Sequence, residues 1–96
     1  MLFAVTVTYT SENVGNIVQR FVQEVEKGEL SEDMTLITRY HSPITKWACM
    51  IVETDSAESL HFWGIKYNDL IDFEVHPVLT EEGVGPVVEA LMARHQ

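Results

Sequence analysis

The chain has 96 residues and a mass of 10.9 kDa, which is enough for one small domain and too little for two hydrophobic cores. Hydrophobic residues make up 46% and charged residues 22%, a composition typical of a folded globule and not of a disordered segment. Fifteen acidic and six basic residues give a formal net charge of -9, which disfavours nucleic acids and anionic membranes as partners because both would be repelled.

The first half of the chain predicts three strands and one helix. Residues 2–10 alternate between apolar and mixed positions, which indicates a strand. Apolar residues at helical spacing over 14–25 predict an amphipathic helix that Gly28 ends. Alternation returns over residues 34–41, and a short connection containing a proline leads to a third strand at 47–53.

The second half predicts two helices and one strand. Residues 55–58 resemble a capping box that begins a second helix, whose apolar stripe includes Trp63 and Tyr67. Residues 70–79 alternate as a fourth strand, and Pro86 is predicted at the first position of a last helix. Because the second helix is apolar around much of its circumference, we expect the last helix to cover its second side.

This order of elements predicts one α+β domain over residues 1–96, a βαββαβ sandwich with both helices on one face of an antiparallel sheet and an extra C-terminal helix. Right-handed crossovers favour the antiparallel sheet order 4-1-3-2. Pro77 supports that order independently, because a proline cannot donate to a sheet ladder and belongs on an edge strand such as the fourth.

Helices cover only one face of such a sheet, and we call the other face the open face. Four strands of about seven residues give it an area of about 440 Å² at ordinary strand spacing and rise. A monomer seldom exposes a larger apolar patch, so we predict a homodimer in which two open faces pair and enclose a ligand cavity. The strand alternation places these residues on the open face: Leu2, Ala4, Thr6, Ile37, Arg39, His41, Asp72, Glu74 and His76.

The predicted ligand-binding cluster consists of Arg39, His41, Glu74 and His76, with Thr6 on the first strand. An imidazole beside a carboxylate can act as a base near neutral pH, and Arg39 can hold an anionic group. His41 and His76 are therefore the candidate catalytic residues. The alternative interpretation is structural, with an ion pair between Arg39 and Glu74 and with both histidines hydrogen-bonded at the dimer interface.

A metal site built from His41, His76 and either Glu74 or Glu53 would have acceptable ligand types. No local spacing motif supports it, so we predict neither a metal nor a cofactor. The single cysteine, Cys49, excludes an internal disulfide. Without a basic leader or an apolar run near the roughly 20 residues that span a bilayer, the chain is predicted to be soluble and cytoplasmic.

Two further groups allow more than one interpretation. Trp47, Trp63 and Tyr67 could line a pocket for a planar substrate, although aromatic residues at helical spacing more often belong to a core. Five acidic residues around the exit of the first helix are predicted to form a solvated surface: Glu24, Glu26, Glu29, Glu32 and Asp33.

Four segments together resemble a known family: MLFAVT at 1–6, RYHS at 39–42, VETD at 52–55 and DLIDFEVHPV at 69–78. The chain resembles the small bacterial family of domain of unknown function 3303, within the dimeric α/β-barrel, ferredoxin-like superfamily. The resemblance implies a fold and no established reaction. Members of the superfamily include cofactor-free monooxygenases, haem-degrading enzymes, small isomerases and stress-response proteins, so the fold does not choose among functions.

The sequence leaves three functions open. The leading hypothesis is a homodimer that binds a small organic molecule between its paired sheets. The second is a cofactor-independent monooxygenase or isomerase that uses a histidine base. The third is a structural or regulatory module whose dimer interface is its whole function.

Overall fold

The computed structural model describes residues 1–95 as one four-stranded antiparallel sheet with three helices. The strands are β1 (Leu2–Thr8), β2 (Met34–Ser42), β3 (Trp47–Thr54) and β4 (Asp72–Val78), and the helices are α1 (Val14–Glu26), α2 (Ala57–Gly64) and α3 (Glu81–Arg94). The sheet order β2-β3-β1-β4 is the predicted order counted from the other edge, with β4 at an edge as Pro77 required. The predicted architecture is confirmed.

Both α1 and α2 lie on one face of the sheet. Val5 of β1 and Val52 of β3 are completely buried beneath them. The core cluster joins the sheet mainly to α2, and its members are Val5, Val7, Met34, Ala48, Met50, Val52, Leu60, Trp63 and Tyr67. No residue of α1 is fully buried, and Phe21 is its half-buried contact with the core. The first helix therefore stands off from the sheet.

The ends of α1 and α2 follow the predicted signals. The Ser56 side chain accepts a hydrogen bond from the backbone N–H of Ser59 at 3.0 Å and begins α2. Gly28 follows α1 with a φ of 84°, in the left-handed region that favours glycine. This turn reverses the chain directly before Glu29.

A bulge in β2 changes the face on which its later residues lie. Leu36 and Thr38 pair with consecutive residues of β3, so Ile37 is an extra residue in the ladder. Because one extra residue reverses the alternation, Arg39 and His41 point to the helix-covered face. The prediction that they lie on the open face is wrong.

The last helix begins earlier than predicted. The Thr80 side chain accepts a hydrogen bond from the backbone N–H of Gly83 at 3.0 Å, and α3 begins at Glu81. Pro86 therefore lies inside the helix and not at its first position. The threonine cap and two acidic residues in the first turn stabilise this earlier start.

The last helix also does not cover α2. Phe62 and Ile65 on the second side of α2 are 58% and 59% exposed. Every residue of α3 except Val84 is exposed as well, so α3 projects from the rest of the chain. The radius of gyration is 16.2 Å, against about 12.5 Å for a compact chain of this length. Across residues 1–95 no helix has the length and apolarity needed to span a membrane.

Candidate functional site

A cavity of about 310 Å³ lies between the sheet, α1 and α2. It exists because α1 stands off from the sheet, with Ile17 and Phe21 on the cavity wall. Sheet residues on the helix-covered face form the opposite wall, including Val7, Met50 and Phe73. The lining is mostly apolar, and the volume is at the small end of the range for small-molecule pockets.

The charged groups of the cavity form one paired cluster. Arg39 Nη2 donates to Glu29 Oε1 at 2.7 Å, and the two side chains are only 14% and 11% exposed. Trp63 Nε1 donates to the same oxygen at 3.3 Å. Lys66 Nζ donates to the backbone carbonyl of Glu29 at 3.0 Å. The Arg39 charge is therefore already neutralised, and one carboxylate links β2 to α2.

Phe21 holds two polar residues of β2 against α1. The Arg39 guanidinium carbon lies 5.1 Å from the centroid of the Phe21 ring, a cation–π contact. The His41 ring meets the same phenyl ring edge-on, with the ring centroids 6.5 Å apart. These contacts place Arg39 and His41 along one wall of the cavity.

Tyr67 lines the cavity and carries an unpaired polar group. Its residue is 4% exposed, and its buried hydroxyl makes no hydrogen bond to any residue between 1 and 95. Burial, together with the nearby carboxylates of Glu29 and Glu24, raises the pKa of Tyr67 from 10.0 to about 12. The phenol is therefore neutral at physiological pH and can donate a hydrogen bond.

The five residues predicted to bind ligand fall into two separate groups. Arg39 and His41 line the cavity, whereas Thr6, Glu74 and His76 lie on the open face. Arg39 and His41 lie on β2, and Glu74 and His76 lie on β4; these two strands form opposite edges of the sheet. The prediction that all of them face one cavity on the open face is wrong, because the bulge turns the two β2 residues to the other face.

The alternative ion pair between Arg39 and Glu74 is also not formed. Arg39 pairs with Glu29, whereas Glu74 Oε1 and His76 Nε2 are hydrogen-bonded to each other at 2.6 Å. Both side chains of the second pair are well exposed. Over residues 1–95, histidine, cysteine and acidic side chains form no group of three or more with metal-site geometry.

Sequence reasoning missed the most important acidic residue of the site. Glu29 and Glu24 were predicted to belong to a solvated surface, but their side chains are only 11% and 18% exposed because they pair with Arg39 and Lys66. The available signal was local: Glu29 lies between a helix-ending glycine and the apolar Leu30.

Trp63 in α2 and Tyr67 shortly after it fit both interpretations of the aromatic residues, as core residues and as pocket lining. Trp63 and Tyr67 belong to the core cluster and also line the cavity. Trp47 does not join them: in the β3 ladder it opposes Thr8 and Ser42 on the open face, and it is 37% exposed.

The sheet order, the two helices on one face and the cavity beneath them define an α+β protein of the ferredoxin-like class. Similar solved structures include the "putative antibiotic biosynthesis monooxygenase" of Deinococcus radiodurans, with a TM-score of 0.50 and 9% identity over 83% of this chain and 94% of that one. Another is SCO4226 of Streptomyces coelicolor A3(2), with a TM-score of 0.47 and 20% identity over 82% of this chain and 98% of that one. At such identities the likeness shows the fold alone.

The family model described as Domain of unknown function (DUF3303) matches residues 1–92, and the chain belongs to this family. The predicted family is thereby confirmed. A search among curated proteins found no match.

Proposed function

We propose that the protein binds a small, neutral, mostly apolar organic molecule in the cavity between the sheet, α1 and α2. The observation that carries the proposal is a mostly apolar cavity of about 310 Å³ lined in part by Tyr67, whose buried hydroxyl is unpaired. Leaving a buried donor unpaired costs about 1–3 kcal/mol, so a ligand that offers an acceptor recovers part of that free energy.

The charge balance of the cavity favours a neutral ligand. Arg39 was predicted to hold an anion, but its guanidinium is already paired with Glu29 at 2.7 Å. An anionic ligand would have to displace that carboxylate, whose own burial makes it costly to leave unpaired. A planar molecule with a carbonyl acceptor needs no such exchange.

An enzymatic function remains the second hypothesis. A cofactor-independent oxygenase or isomerase needs a base beside its substrate, and His41 lines the cavity. His76 lies across the sheet from the cavity and is not placed for that role.

We also propose that two copies form a homodimer through their open faces. This face carries partly buried apolar side chains such as Leu2 and Ile51, together with Tyr40 at 66% exposure. Glu74 and His76 would then lie at the interface between the two sheets.

Coumarin is a suitable probe of the cavity, because it is planar, neutral and bears a carbonyl acceptor. The chain has two tryptophans, so Trp47→Phe leaves Trp63 as the only indole, inside the cavity wall. We expect saturable quenching of Trp63 fluorescence by coumarin. Adding Tyr67→Phe should weaken binding on the order of tenfold, the value of one hydrogen bond.

Matched variants locate the binding site. Tyr40→Phe removes an exposed phenol from the open face and should leave the coumarin affinity unchanged. In Trp63→Phe, the remaining indole of Trp47 reports the open face. Stronger quenching of Trp47 than of Trp63, or no saturation of either signal, would refute binding in the cavity.

A further inference from the structure

We propose that α3 is a docking arm for a second copy of this chain and supplies about half of the dimer interface. The inference rests on the proposed homodimer and adds to it a surface that the paired sheets do not contain. Its basis is a helix that leaves the edge of the sheet and whose residues 81–94 are all exposed except the partly buried Val84.

The apolar residues of α3 lie along one side of the helix. At 100° per residue they fall within one broad stripe, which we call the α3 stripe: Val84, Val87, Val88, Leu91 and Met92. The last four are between 45% and 57% exposed. Glu82, Glu89 and Ala93 lie on the opposite side of the helix.

An isolated helix of this composition is not stable in water. It has 14 residues and contains Gly83, Gly85 and Pro86, which are the weakest helix-forming residue types. Isolated helices shorter than about 12–15 residues are marginal even when rich in alanine. The α3 stripe therefore needs a surface to pack against in order to hold the helical conformation.

The size of the interface favours a second copy as that surface. Two open faces of about 440 Å² each bury about 880 Å². Stable interfaces bury about 1,200–2,000 Å² in total, so the sheets alone are too small. The α3 helix of 14 residues is about 21 Å long and about 10 Å wide, or about 210 Å² on one side. Each docked helix buries about 210 Å² of its own surface and about 210 Å² of the partner. The two helices of a dimer therefore add about 840 Å², which brings the total to about 1,700 Å².

The starting point of α3 also suits this role. The helix follows edge strand β4 after only Leu79 and Thr80. Val78, the last residue of β4, opposes Leu2 on the open face. A helix leaving from this edge extends the same interface, and two-fold symmetry would supply two such arms.

The test compares two substitutions that introduce the same negative charge on opposite sides of α3. Leu91→Glu places a carboxylate in the α3 stripe, whereas Ala93→Glu places one on the far side at nearly the same distance from the helix end. Sedimentation equilibrium should show a dimer for the wild type and for Ala93→Glu. For Leu91→Glu we expect the dimer dissociation constant to rise at least tenfold. The fold of each chain should stay intact, so the fluorescence of the core residue Trp63, measured in a Trp47→Phe background, should not change.

Hydrogen exchange of the α3 amides gives a second readout. Protection over residues 87–94 should increase with protein concentration in the wild type and be lost in Leu91→Glu. A dimer of equal affinity in both variants would overturn the docking arm and leave the paired sheets intact. A wild type that stays monomeric at all concentrations would overturn the homodimer and, with it, the arm.

Discussion

Glu29→Gln tests the charged cluster that links β2 to α2. The amide retains an oxygen that can accept from Trp63, but Arg39, at 14% exposure, loses its counter-charge. A hydrogen bond to a charged group contributes about 1.5–3 kcal/mol, and an uncompensated buried charge adds to the loss. Because both side chains retain slight contact with water, we expect the free energy of unfolding to fall by about 2–3 kcal/mol.

Urea unfolding followed by tryptophan fluorescence measures this change. Glu26→Gln is the matched control, because Glu26 lies three residues earlier and is exposed. It should shift the free energy of unfolding by less than about 0.5 kcal/mol. Adding Arg39→Met to Glu29→Gln removes the unpaired charge and should recover part of the lost stability. Equal effects of the two glutamine substitutions, or a double variant as unstable as the sum of its parts, would refute the buried pair.

Two further predictions concern the phenol and the core. Because the folded pKa of Tyr67 is about 12 and its ordinary value is 10.0, its contribution to stability is complete below pH 10 and is lost as the pH rises to about 12. Phenolate absorbance should show one of the three tyrosines ionising last, and Tyr67→Phe, unlike Tyr40→Phe, should remove that step. Val52→Ala removes two methyl groups from a fully buried side chain and should cost about 2 kcal/mol in urea unfolding. Val22→Ala, at a 50% exposed position of α1, should change stability by less than about 0.5 kcal/mol; equal losses at the two valines would contradict the assigned core.

The order of the sheet could be predicted because its signals are local and periodic. Alternating side chains define β1 and β3, and Pro77 restricts β4 to an edge. The helix-ending role of Gly28 follows from its conformational freedom. Each of these signals depends on near neighbours in the chain and needs no knowledge of tertiary contacts.

The side of the sheet that holds the site could not be predicted in the same way. The bulge at Ile37 occurs within an uninterrupted alternating segment that contains neither glycine nor proline. If the strict alternation of a strand is continued past Ile37, every later side chain is assigned to the wrong face. This is why the sequence placed Arg39 and His41 on the open face. The buried partner of Arg39 is ten residues earlier, in a loop whose acidic composition resembles a solvated surface.

The central claim is that ligand binds on the helix-covered face, between α1 and the sheet. Intermolecular nuclear Overhauser effects between coumarin and the isotope-labelled protein test it most directly, because they report which side chains lie within a few ångströms of the ligand. We predict contacts from coumarin to the rings of Phe21 and Tyr67. Contacts to Thr6 and Tyr40 on the open face, without any to Phe21, would contradict the account.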